Sequence, residues 1–324
     1  MRFIIAFTTS ALLAFGLLYG LILAVDPYNK FGYNLFGFET KAVDFARVNK
    51  FNQVTYAMKD YTAFILGSSS AHRYLTGELD RLTGLVSYNY STQSATPEDY
   101  LAMVRHIYTK FSPKLIILSV DFEVLNRNFA TDDMFYASPL KDYLDEVPAA
   151  ELETNLFNNS YLTLEAIGDS AKVIWVNLFG KANHAYLADG NHVVEPRPRT
   201  LVVGQFDGRP YAFDERRLGY LRTIKALADA RGTKIVVLTA PLSTGHLKLV
   251  REKFAREHDE FKRRLAGIFG EVWDFQNETI DAFDGLDYFR NSNHATHAFS
   301  TIILERIFGK RTAPGIRLLA PGDR

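Results

Sequence analysis

The stretch "YTAFILGSSSAHRY", residues 61–74, decides how the rest of the chain is read. The apolar run Ala63–Leu66 passes without a break into Gly67 and three serines, and His72 follows. A β-forming run that ends abruptly in Gly-Ser is how a buried strand delivers a side chain to a sheet edge. Gly and Ser are also common turn residues. On its own the stretch leaves two readings open: a serine nucleophile at a strand end, or a polar turn after a core strand.

Working outward, strand and helix patterns alternate. "LTGELDRL" (75–82) reads as a short helix, "LVSYNY" (85–90) as a strand, and "TPEDYLAMVRHIYTKF" (96–111) as an amphipathic helix. Thr96 and Glu98–Asp99 suit that helix's N-terminus. "PKLIILSVD" (113–121) and "TKIVVLTAP" (233–241) are near-continuous apolar runs, which belong to parallel sheets covered on both faces. Between and after them come helix patterns at 216–232 and 246–270, a short strand "EVWDF" (271–275) and a last helix from "HATHAFS" to Gly309. This order predicts an α/β protein, an open three-layer α/β/α parallel sheet with right-handed crossovers. The expected organisation is an anchor at 1–25, a linker and leading helix at 26–60, an α/β domain at 61–310 and a C-terminal tail at 311–324. A helical and irregular insertion at about 125–215 is expected beside the sheet's active edge. Ligands in such sheets bind beyond the carboxyl ends of the strands, here Gly67–Ser70, Asn89–Ser91, Ser119–Asp121 and Ala240–Pro241.

The composition narrows the function classes. Lys plus Arg and Asp plus Glu are 37 each, so no global field favours nucleic acid. Cysteine is absent, which removes disulfides, thiolate metal sites and a Cys nucleophile. Residues 3–25, "FIIAFTTSALLAFGLLYGLILAV", carry no charge. They are long enough to cross a bilayer, which takes about 20 residues. A cleaved signal peptide has a shorter apolar core and a small-x-small site; here bulky Ile22 precedes Ala24. The expectation is an uncleaved N-terminal transmembrane helix. Arg2 and the terminal amine stay in the cytoplasm, and the body lies on the extracytoplasmic (periplasmic) side of the cell membrane.

A serine hydroxyl becomes a nucleophile when a base accepts its proton and a third group orients that base. Of the eight histidines, His106 reads as a surface or packing residue, and His246 and His258 as solvated members of a charged helix. His184 and His192 lie in the insertion, and His72 is too close to Ser69 to be aimed back at it. That leaves His294 in "LDYFRNSNHATHAFS", with His297 one turn on. The pair could ligate a metal or cap a helix, but no third ligand accompanies them in a recognisable motif.

Taken together, "GSSSAHR" after a buried strand, "YNYSTQSATPEDY" after the next, "IILSVDFEVLN" after the third and a near-terminal "NSNH" resemble the SGNH/GDSL hydrolase superfamily. The resemblance is to its membrane-anchored branch, which includes the partner proteins of membrane-bound O-acyltransferases in alginate O-acetylation and teichoic acid D-alanylation. "VDPYNKFG" after the anchor also looks like that branch. The resemblance covers most of residues 1–128 and about 230–307, and it implies a flavodoxin-like SGNH fold. It implies Ser69 as nucleophile, His294 as base, Asn291 in place of the family's acid, and backbone amides of Ser69 and Ser94 as oxyanion donors.

Three departures stand out. Asn291 can hold the imidazole's N–H but cannot stabilise the imidazolium by charge, and nearby Asp287 is a possible substitute at the wrong spacing. Ser94 stands where the family has a glycine. Asp121 stands where the family has an oxyanion asparagine; ionised it would repel an oxyanion, and it is equally a structural acceptor. The implied activity is a serine acyltransferase or acylesterase acting on cell-surface or exported polysaccharide, taking an acyl donor and a polysaccharide acceptor, without metal or organic cofactor. The alternative is a non-catalytic binding or assembly subunit beside a membrane-bound O-acyltransferase or exporter.

Overall fold

The structure is a computed structural model. It describes residues 1–27, 35, 36, 38, 46–145, 164–180, 184–187, 189–194, 210–309, 311, 312 and 314–320. The elements in chain order begin with α1 (Arg2–Val25), α2 (Ala46–Thr55), β1 (Ala63–Leu66), α3 (Thr76–Thr83), β2 (Ser87–Asn89), α4 (Pro97–Lys110), β3 (Leu115–Val120) and α5 (Asp133–Tyr136). Next come α6 (Leu164–Phe179), β4 (His184–Tyr186), β5 (His192–Val194), α7 (Glu215–Ala230), β6 (Lys234–Thr239), α8 (Thr244–Phe269) and β7 (Glu271–Asp274). The chain closes with β8 (Phe289–Asn291), β9 (His294–Ala295), α9 (His297–Phe308) and β10 (Ile316–Leu319).

Two compact units are present. One gathers α1, α2, α6 and the antiparallel hairpin β4–β5. The other holds the sheet, its helices and the β8–β9 hairpin. The segment set apart in the sequence at about 125–215 is thus divided. Residues 125–145 and 210–215 go with the sheet, and α6 goes with the N-terminal helices.

The sheet has six strands in the order β2–β1–β3–β6–β7–β10. The first five are mutually parallel, and β10 pairs antiparallel with β7. β10 lies inside the stretch expected to be a tail, and the sheet is therefore mixed. Its four residues are exposed or half-exposed, so it carries none of the apolar continuity that marks the central strands. From β1 to β2 the chain steps one way, and from β2 through β3, β6 and β7 it steps the other way. Right-handed crossovers then put α3 on one face and α4, α7 and α8 on the opposite one. The packing agrees, since α4 meets α7, α7 meets α8, and α3 meets α9. Covered on both faces, β1 and β3 are buried throughout.

Two devices fix the carboxyl edge. At the start of α4 the Thr96 N–H donates to the Asp99 carboxylate at 3.0 Å, a capping arrangement behind Pro97. Glu98 on the first turn is buried and accepts from the Arg217 Nε at 3.2 Å. Arg217 also donates to the carbonyls of Val124 (2.9 Å) and Asn126 (3.0 Å) and to the Thr131 hydroxyl (3.1 Å). One buried guanidinium therefore pins the whole segment that leaves β3.

Gly67 ends β1 with φ +156°, and a Cβ there would lie 2.7 Å from the Ala71 Cβ and 3.0 Å from the Ser119 carbonyl oxygen. Gly84, the left-handed C-cap of α3, has nothing within 4 Å of such a Cβ. We expect Gly67→Ala to cost ~1–3 kcal/mol by overpacking. Gly84→Ala should cost about 1 kcal/mol from backbone conformation alone. Urea denaturation of the two variants checks this; a Gly67→Ala cost no larger than that of Gly84→Ala would contradict the packing.

Candidate active site

The site is built from three carboxyl ends of the sheet and one hairpin. After β1 the chain enters a 3₁₀ turn, Ser69–Arg73, whose N-cap Ser68 accepts the Ser70 N–H at 3.2 Å. Ser68 and Ser70 are buried with their hydroxyl oxygens 3.1 Å apart, and Ser69 is half-buried. Of the three serines, only Ser69 is turned toward accessible space. As the first residue of the turn, its backbone N–H has no acceptor within the turn.

Asn89, at the end of β2, holds the far side of this turn. Its amide nitrogen donates to the carbonyls of Ala71 and Tyr74, both at 3.0 Å. Its oxygen accepts from the Ser91 N–H at 3.1 Å. In the sequence Asn89 is visible only as one polar residue at a strand end; its role depends on partners 15 and 18 positions away.

His294 does not sit in an open loop ahead of the last helix. It forms the short strand β9, paired with β8 so that Asn291 faces His294. The last helix starts at His297, three residues later than the sequence pattern suggested, capped by the Thr296 hydroxyl. Two tethers fix this hairpin: the Ser243 N–H donates to the Ser292 carbonyl (2.9 Å), and His297 Nδ1 meets the Arg73 carbonyl (3.1 Å). The second tether ties the first residue of α9, two positions past the hairpin, to the serine turn.

Across 225 residues of sequence, His294 Nε2 lies 2.8 Å from Ser69 Oγ. On the other side of the ring, Nδ1 lies 2.7 Å from Asn291 Oδ1. The same oxygen accepts the backbone N–H groups of His294 (3.0 Å) and Asn293 (3.3 Å). Two backbone donors fix which end of the Asn291 amide faces inward, and that end is an acceptor only. The imidazole must therefore carry its proton on Nδ1, leaving the Nε2 lone pair on the serine hydroxyl. Burial, with Arg73 and Arg290 nearby, lowers the His294 pKa to about 4. The ring is neutral at physiological pH.

Of the remaining residues singled out, Asp287 is exposed, and its backbone carbonyl accepts from Thr296 Oγ1 at 2.7 Å. The group at His294 Nδ1 is Asn291. Ser94 occupies a turn with φ +49°, the left-handed region that a glycine adopts without cost. Asp121, just past β3, is buried. Burial and then the charge of Glu123 raise its pKa to about 7, while the Ser68 and Ser70 hydroxyls pull it partly back. Its Oδ2, the Tyr74 hydroxyl and Ser119 Oγ are buried without a hydrogen-bond partner among the described residues.

His246 and His258 are buried and not solvated as the sequence suggested. His258 Nε2–H donates to Gln276 Oε1 at 2.7 Å, and burial lowers its pKa to about 4. His246 is buried 3.5 Å from Glu123. Both face inward from α8, where the charged residues around them mask the apolar stripe. His106 is buried against the Tyr90 hydroxyl at 2.8 Å. Among the described residues no group of three or more His, Cys, Asp or Glu is gathered as a metal site.

The Asp121 carboxyl gives a stability test. Its folded pKa lies above the ordinary value of about 3.9, so the folded state holds its proton more tightly. Stability is then fully present below about pH 4 and declines as pH rises toward 7, by a few kcal/mol at most. Asp121→Asn removes this decline, so the variant should gain on wild type between pH 4.5 and 7.5 in thermal melts. Parallel pH profiles would show that the carboxyl is not so perturbed. Ser94→Gly should raise stability by up to about 1 kcal/mol by relieving the left-handed backbone; no gain in the same melts would contradict that strain. Compared with models of known protein families and with curated proteins, the sequence matches none.

Proposed function

We propose that the protein is a membrane-anchored, extracytoplasmic serine acyltransferase or acylesterase of the SGNH type, acting on cell-surface or exported polysaccharide. The observation that carries this reading is the continuous Ser69–His294–Asn291 contact at 2.8 Å and 2.7 Å, with the imidazole tautomer fixed. The order of the supporting strand ends is that expected from the SGNH resemblance. The apolar, charge-free run of α1 supports the anchor.

In this reading Ser69 Oγ attacks the carbonyl carbon of an acyl ester while its proton passes to His294 Nε2. The tetrahedral oxyanion takes the backbone N–H groups of Ser69 and Ser94. Collapse breaks the ester C–O bond, and the leaving alkoxide takes the proton back from Nε2, giving an acyl-Ser69. A sugar hydroxyl or water then gives its proton to Nε2 as it attacks the acyl carbon; collapse breaks the acyl–Oγ bond, and Ser69 Oγ takes that proton back from Nε2. The acyl donor and polysaccharide acceptor are reactants, and the chemistry requires only this chain's own groups.

Asn291 sets the strength of the base. It orients the ring but adds no negative charge, so the imidazolium formed in the transition state goes without ionic support. This observation, with Asp121 beside the serines, favours the second reading, a binding or assembly subunit in a polysaccharide acylation or export complex. An ester-hydrolysis assay separates the two. For the enzyme, Ser69→Ala and His294→Ala abolish turnover while Ser68→Ala and Ser70→Ala retain it, because those hydroxyls face each other and Asp121. Loss of the general base is worth ~10²–10⁴-fold. Wild type with no turnover on any ester, alongside intact polysaccharide acylation by His294→Ala in cells, selects the subunit reading.

Substituting the orienting residue adds a pH signature. The base works when neutral, so wild-type rate should hold down to about pH 4 and fall below it. Asn291→Asp places an anion at Nδ1, which moves this acid limb upward and raises the rate at pH 8. Asn291→Ala lowers the rate at every pH. An unchanged limb in Asn291→Asp would mean that residue 291 does not govern the imidazole.

The anchor has its own check. Full-length protein should remain with membranes through an alkaline wash. Recovery as a shortened soluble species would identify residues 1–25 as a cleaved signal.

A further inference from the structure

α6 is apolar on the side it leaves exposed. Ala166, Ser170 and Val173 are buried and form its inner face. The outer face runs Leu164, Gly168, Ala171, Trp175 and Leu178 at alternating spacings of four and three, with Phe179 beside the last. Leu164 is 87% exposed, Trp175 65%, Leu178 59% and Phe179 72%, and the Trp175 and Phe179 rings lie 5.0 Å apart. A water-facing helix of a soluble protein carries polar residues on such a face. A contiguous patch of this kind marks a contact surface.

The position of α6 relative to α1 says what covers it. Residues 1–18 are exposed on all sides, and burial begins at Tyr19 and Ile22. The bare part, residues 2–18, is about 26 Å long at 1.5 Å per residue, close to the ~30 Å hydrocarbon thickness of a bilayer. Where it ends, Tyr19, Ile22 and Leu23 pack on Ala166 and Ile167 at the first turn of α6. The helix therefore starts at the level where α1 leaves the hydrocarbon. Resting on the anchor reading, this places its outer face at the boundary between headgroups and acyl chains. Trp, Phe and Leu are the residues that interfacial helices bury at that boundary.

We infer that α6 is an interfacial helix, lying on the outer leaflet with Leu164, Ala171, Trp175, Leu178 and Phe179 in lipid. It would hold the N-terminal unit at the membrane surface as a second contact besides α1.

The chain has two tryptophans, Trp175 and Trp273, so Trp273→Phe isolates the reporter. The full-length variant is reconstituted in phosphatidylethanolamine/phosphatidylglycerol vesicles. Its emission is read with lipids brominated near the headgroup, with lipids brominated deep in the chain, and with aqueous iodide. The expected result is loss of most emission to shallow bromines, a smaller loss to deep ones and resistance to iodide. The reciprocal Trp175→Phe protein should lose the bromine effect, which keeps the test valid if Trp273→Phe folds poorly. Quenching by iodide without a bromine effect, in protein that floats with the vesicles, overturns the inference and leaves the anchor intact. Protection from both quenchers with Trp175 cross-linked to a second copy or another protein also overturns it, in favour of a protein partner. Protein that fails to float overturns the anchor and this inference together.

Discussion

The close approach of Gly67 to Ser119 and Ala71 is the constraint on which the candidate site depends. β1 and β3 are adjacent and in register from Ala63 with Leu115 to Leu66 with Leu118. The next residue of β1 must turn within a space too small for a Cβ. That turn buries Ser68 and Ser70, leaves Ser69 half-open, and puts Ala71 and Tyr74 where Asn89 can hold their carbonyls. The first residue of α9, two positions past the hairpin carrying His294, is tied to the same turn through Arg73. A shift of the turn by one residue would present a different hydroxyl and break the tether.

The electrostatics of the site follow from burial more than from charge. His294 is flanked by Arg73 and Arg290 and faces a neutral amide, so it stays an uncharged base over the physiological range. Asp121 lies behind the serines with Glu123 nearby, and burial makes its neutral form accessible near pH 7. A neutral carboxyl does not repel an oxyanion as a carboxylate would. Asn291 and Asp121, two of the three departures from the SGNH pattern, thus have a common consequence, a site with little net negative charge around the serine. For the proposed chemistry that means a modest base and an oxyanion environment that depends on backbone amides.

Much of the architecture is legible in the sequence because buried parallel strands are written as unbroken apolar runs. β3 and β6 can be read from "LIILSV" and "KIVVLT" alone. The mutual contact of Ser69, His294 and Asn291 is legible only through the SGNH resemblance that four short motifs carry. Other features are invisible for physical reasons. β10 is four residues long and exposed, so nothing in its composition separates it from a tail. The β8–β9 hairpin depends on a bulge between Phe289 and Asn291, and it looks like polar loop. His246 and His258 read as solvated because α8 is densely charged, and their inward direction is decided by packing. Asn89 and Asp121 take their character from neighbours distant in sequence, which no local pattern encodes.

The account turns on whether Ser69 is a nucleophile activated by His294, and covalent labelling reads this most directly. Full-length protein is treated with a fluorophosphonate, and the adduct is located by peptide mass spectrometry. The account predicts one phosphonyl adduct on Ser69 in wild type, forming far more slowly in His294→Ala and absent from Ser69→Ala, with Ser68 and Ser70 unmodified throughout. Folded wild-type protein that takes up no adduct, or that labels equally with and without the His294 imidazole, would contradict it.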